Sequence, residues 1–207
     1  MKHLLIIGAR GFGREVYNLF LDCKFADIDC KGFLDDKADA LAEYSNYPPI
    51  ISSVESYIPK PDDVFICALG DVAYKEKYAS VLLEKGGIFI SLIHPSASIS
   101  MNTTIGQGCI IEKNAIVSCD VTIGDFVTVM PQAVLGHDTQ VGDWSHIGSF
   151  AFMGGFSKLG RSVTLHPTVN ILPHKKVGDN ATVGAGSVVI RPVQEGRTVF
   201  GIPAMKI

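Results

Sequence analysis

From Ile93 onward an apolar residue stands at every sixth position. The series runs Ile93, Ile99, Ile105, Ile111, Val117, Ile123, Val129, Leu135, Val141, Ile147, Met153, Leu159, Leu165, Ile171, Val177, Val183 and Val189, which is 17 anchors without a break. Gly follows its anchor directly in nine of the 17 cases, and four places after most anchors stands a small or β-branched residue such as Ala115, Val121, Ala133 or Ser157. A period of six is too short to contain a helix, so it predicts a parallel β-helix in which each hexapeptide supplies a short strand with its anchor turned inward. The glycines beside the anchors are expected to permit the tight turn onto the next face. Three faces of six residues make a coil of 18, so Ile105, Ile123, Val141, Leu159 and Val177 stack on one another. The 17 hexapeptides amount to between five and six coils. Spacing alone leaves the hand of the coil open.

Residues 1–92 lack that period and read as a small α/β unit, so the boundary is placed between 92 and 93. His3 to Ile7 is a buried strand that ends in a Gly-rich turn, after which Val16, Leu19, Phe20 and Cys23 recur at helical spacing. Gly32-Phe33-Leu34 and Val64 to Leu69 are further strands, and Ile88-Phe89-Ile90 is a fourth that leads into the repeat. Asp71 is a good N-cap for a helix carrying Tyr74, Tyr78, Val81 and Leu82. Strands alternating with helices imply a parallel, Rossmann-like sheet of about four strands. The stretch from Tyr44 to Ile50, with Pro48-Pro49, reads as a linker inside this unit.

Composition narrows the chemistry. Hydrophobic residues are 47% and charged residues 19% of the chain, which is the balance of a globular protein. The formal charge of -3 offers no electrostatic footprint for a polyanion, so no nucleic-acid partner is expected. No apolar run reaches the ~20 residues of a membrane span, and the apolar start Leu4 to Ile7 stops at Gly8, too soon for a signal peptide. The chain reads as cytoplasmic. Five cysteines without a C-x-x-C motif indicate neither a disulfide framework nor a zinc ribbon, and most read as packing residues.

Gly8-Ala9-Arg10-Gly11-Phe12-Gly13 lies between a strand and a helix, where a phosphate can meet free backbone N–H groups. Its spacing is G-x-x-G-x-G, not the dinucleotide G-x-G-x-x-G. Asp35 and Asp36 end the next strand, where a carboxylate can accept from ribose hydroxyls. A sheet this small does not suit NAD, which needs two mononucleotide halves.

These motifs occur together with Phe33-Leu34-Asp35-Asp36, Ala68-Leu69-Gly70-Asp71, the array containing Gly136-His137-Asp138, and the closing Gly201 to Lys206. As a package the chain resembles the sugar O- or N-acyltransferases of the sialic acid O-acetyltransferase type, including the bacterial UDP-4-amino-sugar acetyltransferases. The resemblance implies a left-handed β-helix, a homotrimer and acetyl-CoA as co-substrate, bound between neighbouring β-helices, with no metal. It implies transfer of acetyl to the amino group of a nucleotide-linked amino sugar for a surface glycan, by direct attack on the thioester. O-acetylation of sialic acid or a related sugar is the alternative within the family.

His137 stands two places after the anchor Leu135, so its ring is expected to point outward, where an imidazole can take a proton from an attacking acceptor. The resemblance makes His137 the general base, and Asp138 stands where the family commonly has Glu, one methylene longer. No cysteine or serine is expected beside His137 to carry the acetyl group first. The resemblance further assigns His146, Pro167 and Ala185 to acetyl-CoA, and Arg10, Gly11, Phe12, Asp35, Asp36 and Gly70 to the nucleotide sugar. Phe12 replaces a His seen in characterised amino-sugar acetyltransferases. The outward aromatics Phe150, Phe152 and Phe156, near His137 and His146, are expected to bury surface against another subunit. Two other classes are compatible with such a β-helix: a zinc carbonic anhydrase using His137, His166 and His174, and a non-catalytic β-helix trimer.

Overall fold

The computed structural model describes all residues, 1–207, and divides into two compact units, Met1–Leu92 and Ile93–Ile207.

In the first unit β1 (Lys2–Ile7) is followed by α1 (Gly11–Cys23), β2 (Ile28–Leu34), β3 (Ile50–Ser52), β4 (Asp63–Cys67), α2 (Val72–Glu84) and β5 (Ile88–Phe89). The sheet is all parallel, in the order β3-β2-β1-β4-β5. It therefore has five strands, not about four. The additional strand, β3, begins at Ile50, the last residue of the stretch read as a linker. It has three residues, lies at the sheet edge and leaves Ile51 41% exposed, so it carries neither the length nor the buried pattern by which a strand is recognised. The centre is conventional: Leu4 to Ile7 and Val64 to Cys67 are buried on both faces. Helix α1 covers the sheet with Gly13, Val16, Leu19 and Phe20. Helix α2 does so with Lys75, Ala79 and Leu82, so Tyr74 and Tyr78 are not on its core face. Asp71 caps α2 as expected, accepting from the N–H groups of Ala73 and Tyr74, both at 3.0 Å.

The second unit is a parallel β-helix of three faces. The first face holds Ser98–Ile99, Ile116–Val117, Val134–Leu135, Phe152–Met153, Asn170–Ile171 and Val188–Val189. The second holds Thr104–Ile105, Thr122–Ile123, Gln140–Val141, Lys158–Leu159 and Lys176–Val177. The third runs from Leu92–Ile93 through Ile110–Ile111, Thr128–Val129, His146–Ile147, Thr164–Leu165 and Thr182–Val183 to Thr198–Phe200, where Met205–Lys206 pairs antiparallel. Up to the closing coil each strand residue pairs with the one 18 places on, as Leu135 does with Met153, and there the offset shortens to 16, as for Val183 and Val199. Anchors from Ile111 to Val189 are buried, while Ile93, Ile99 and Ile105, in the first coil, are partly so. The small residues four places after the anchors fill the interior beside them, with Ala115, Val121, Ala133 and Ser157 all at 0% exposure.

The glycines beside the anchors have a different task from the one expected. None of them has a positive φ. The left-handed conformation falls two places later, on residues that are mostly not glycine, among them Asn114, Asp120, Phe126, Asp138, Trp144, Phe156 and His174, with φ between 53° and 65° for the non-glycine members from Asn102 to Asn180. What the glycines provide is room. A Cβ on Gly142 would lie 2.5 Å from the carbonyl carbon and oxygen of Gly160 in the next coil. Carboxylates stitch the coils as well: Asp125, Asp143 and Asp179 accept from the backbone N–H of Gln107, Asp125 and Arg161 at 2.9, 2.9 and 3.0 Å.

Candidate functional site

The first unit has its cavity where strand order reverses, beyond the carboxyl ends of β1 and β4, the usual ligand position in an open parallel sheet. The cavity measures about 500 Å³ and is lined by Gly8, Arg10, Phe12, Asp35, Asp36, Gly70, Asp71, Tyr74 and Tyr78 among others. Five of the six substrate residues expected here are thus together. Gly11 is not among them; it lines an adjoining hollow with Arg10, Arg14 and Lys37. The backbone turns closely beneath the cavity, since a Cβ on Gly13 would sit 1.9 Å from the Gly8 carbonyl oxygen. Helix α1 begins without a side-chain cap, in contrast to α2, so its first N–H groups keep their capacity for an anion.

The two acids divide their tasks. Asp35 accepts from the backbone N–H of Ala9 at 2.8 Å and of Lys37 at 2.9 Å, bracing the Gly-rich turn. Asp36 accepts from the Tyr78 hydroxyl at 2.9 Å, a bond that also raises the Tyr78 pKa. Tyr74 and Tyr78 stack with centroids 6.4 Å apart and form a wall of the cavity. Helical spacing reveals that the two rings share a side of α2 but not whether that side meets core or cavity.

In the second unit His137 lies at the corner leading from the first face to the second, with 56% of its side chain exposed. Asp138 follows in the left-handed conformation, φ 58°, and its Oδ2 lies 2.8 Å from His137 Nδ1. The shorter acid therefore reaches. With the proton on Nδ1 donated to the carboxylate, Nε2 holds the lone pair. One coil on, Gly155 leaves space for the ring, since a Cβ there would come within 2.7 Å of Cε1 and Nε2. Phe156 meets the imidazole edge to face at 5.2 Å, and His174 stacks on Phe156 at 4.9 Å.

Cys119 occupies the equivalent corner position one coil before His137, and its carbonyl accepts from the Asp138 N–H at 3.2 Å. The expectation that no thiol adjoins His137 holds along the chain and fails along the coil axis. Its thiol is nevertheless poorly suited as a nucleophile: a hydrogen bond to Asp120, with burial and the charges of Asp120 and Asp138, raises its pKa.

His146 lies on the third face, next to the buried anchor Ile147, and is half-buried. Pro167 and Ala185 are exposed at the corner leading from the third face to the first. The coil thus sets His137 at one edge of the first face and Pro167 with Ala185 at its other edge. The outer surface between them carries Ile116, Val134 and Phe152 in line, followed by Asn170 and then Val188. No group of three or more His, Cys, Asp or Glu side chains is arranged to hold a metal ion, and the His174 ring lies flat on Phe156. No helix is long and apolar enough to cross a membrane.

Comparison with known proteins agrees with this division. Residues 3–82 match the PglD N-terminal domain family and residues 90–186 the GMPPB C-terminal domain family. Over 118 residues the chain is 32% identical to the UDP-N-acetylbacillosamine N-acetyltransferase of Bacillus subtilis, a match covering 54% of this chain and 51% of that protein. It thus spans about half the length of that curated relative. The acetyltransferase domain of PglB from Neisseria gonorrhoeae, solved in complex with acetyl coenzyme A, is 27% identical with a TM-score of 0.90, covering 100% of this chain and 99% of that one. PerB from Caulobacter crescentus, solved with CoA and GDP-perosamine, is 23% identical, has a TM-score of 0.91 and covers 100% and 98% of the two chains, which establishes likeness of fold. The β-helix is of the left-handed type found in such acetyltransferases.

Proposed function

We infer that this chain is a hexapeptide-repeat sugar N-acyltransferase that moves an acetyl group from acetyl-CoA to the amino group of a nucleotide-linked amino sugar. The observation that carries the reading is the outward His137 imidazole, bonded through Nδ1 to Asp138, on a β-helix whose relative from Neisseria gonorrhoeae binds acetyl-CoA. His137 Nε2 accepts a proton from the amine as nitrogen attacks the thioester carbonyl. A C–N bond forms, the C–S bond breaks, and the thiolate leaves with the coenzyme. Asp138 fixes the tautomer and stabilises the imidazolium that forms. In the first unit the uncapped start of α1 and the side chains of Arg10, Asp36 and Tyr78 suit a nucleotide diphosphate. Both substrates are cytoplasmic metabolites, and the reading puts the chain there.

The same reading makes the protein a homotrimer. Three prisms that turn their first faces toward a common axis bring the His137 edge of each beside the Pro167 and Ala185 edge of the next. The pantetheine arm then lies between a base from one copy and backbone groups from another, with His146 as a further contact. The test is a thermal-shift screen against UDP-, GDP-, dTDP- and CMP-sugars followed by acetyl transfer to the responding amine. Stabilisation by an amino-sugar nucleotide and turnover of its amine are expected. A response confined to CMP-linked sialic acid would replace the amine acceptor with a hydroxyl, and no response to CoA would remove the enzyme reading.

A further inference from the structure

Thirteen non-glycine residues of the β-helix, from Asn102 to Asn180, adopt the left-handed conformation at successive corners, and only some of them suit it. Asn and Asp adopt it readily, whereas a bulky aromatic side chain does so against its preference. Phe126 and Trp144 compensate by burial: they stack at 4.1 Å and are 2% and 7% exposed. Phe156 lacks that compensation, as does Phe150: both take the same conformation, φ 61° and 60°, with 45% and 55% of their surfaces exposed. Folding alone therefore does not account for an aromatic ring at either corner. What the Phe156 ring does touch is His137, edge to face at 5.2 Å, while His174 lies parallel to it, 3° from coplanar, at 4.9 Å. The backbone holds this arrangement in register, because the Phe156 N–H donates to the His137 carbonyl and the His174 N–H to that of Gly155, both at 3.0 Å.

We propose that Phe156, clamped by His174, is a positioning residue that restricts rotation of the His137 imidazole so that Nδ1 stays on Asp138 and Nε2 stays turned to the acceptor. An exposed His–Asp pair between sequence neighbours is held by one hydrogen bond that water competes for, and the ring can turn about its Cβ–Cγ bond. An aromatic ring packed at right angles to the imidazole opposes that turn sterically, and Gly155 leaves the retained orientation free of a clash. The proposal rests on His137 being the general base, and its test is chosen so that the two can fail separately.

In the purified wild-type protein, ¹⁵N-histidine NMR is expected to show one dominant His137 tautomer, protonated on Nδ1, without any substrate present. Phe156→Ala is expected to mix the tautomers and to lower kcat on the order of 10- to 100-fold, with KM for acetyl-CoA unchanged, the signature of a displaced catalytic group. Phe156→Tyr keeps the ring and is expected to restore both readouts, and His174→Ala is expected to give an intermediate effect. If Phe156→Ala fails to fold, Phe156→Leu serves in its place, since it fills similar volume without a flat ring. An unchanged tautomer in the variant lacking the ring overturns the proposal, as does an unchanged kcat where His137→Ala is itself impaired. If the tautomer shifts as described while His137→Ala keeps full activity, the positioning stands and the base assignment falls.

Discussion

His137 and Asp138 show how one side chain acquires a role from its neighbour. The acid is adjacent in sequence, and adjacent residues reach each other here because the second is in the left-handed conformation. His137→Ala is expected to lower kcat on the order of 10²–10⁴ with acetyl-CoA affinity little changed, and Asp138→Ala to cost less, measured by steady-state kinetics and calorimetry. Asp63 illustrates a carboxylate with a structural role. Burial pushes its pKa up, but hydrogen bonds from Tyr57 at 2.6 Å, Lys31 at 2.9 Å and the Lys60 N–H at 2.8 Å outweigh that and hold it below the usual range. A folded pKa below the unfolded one of about 3.9 stabilises the protein above that pH, and the contribution is lost as pH falls through the folded value. Urea midpoints of wild type and Asp63→Asn should therefore differ most near pH 6 and converge as pH falls below about 4. Identical differences at both ends would show that the carboxylate contributes nothing through its ionisation.

At the scale of elements, the six-residue period was legible because burial of an anchor on each strand leaves a mark in composition, as Leu135, Ile147 and Met153, all at 0% exposure, demonstrate. The corner conformation left no such mark. A left-handed residue every six positions is held by coil-to-coil backbone bonds, such as Trp144 N–H to Asp125 carbonyl at 2.8 Å, and the side chains found there range from Asn to Trp. The glycine column was visible while its cause was hidden, because turn and clearance both select for the missing Cβ. The two causes predict different experiments. Gly142→Ala is expected to destabilise by roughly 1–3 kcal/mol through crowding of the Gly160 backbone, read as a lower urea midpoint with unchanged slope. Ile147→Ala acts through the opposite fault, a cavity in the interior, and is expected to cost about 2–5 kcal/mol. In the first unit β3 and the Tyr74–Tyr78 wall escaped sequence reading because one is a short edge strand and the other a helical stripe whose partner is a ligand cavity.

On the scale of the whole molecule, residues far apart in sequence meet only through the coil register, which is why Cys119 and Gly155 were not read as neighbours of His137, although Phe156 was. A count in steps of 18 finds them. The trimer is testable at the same scale. Phe152→Asp places a charge in the middle of the first face, where the side chain is 39% exposed, so the fold should survive. Sedimentation is expected to show a trimer for wild type and a monomer for the variant, with acetyl-CoA binding lost although His137 is intact. A monomeric wild type that binds acetyl-CoA would remove the shared site.

The pairing at 18 places that runs through the β-helix up to its closing coil also limits how such a chain can change in length. One residue inserted within a strand or an ordinary corner turns every later side chain onto a different face and separates the base from its ladder of rings. Insertion or removal of a whole coil leaves each face with its own residues. Lengths of this unit in nature are thus expected to vary in whole turns, with other insertions confined to loops that bulge from a corner and return to the same register.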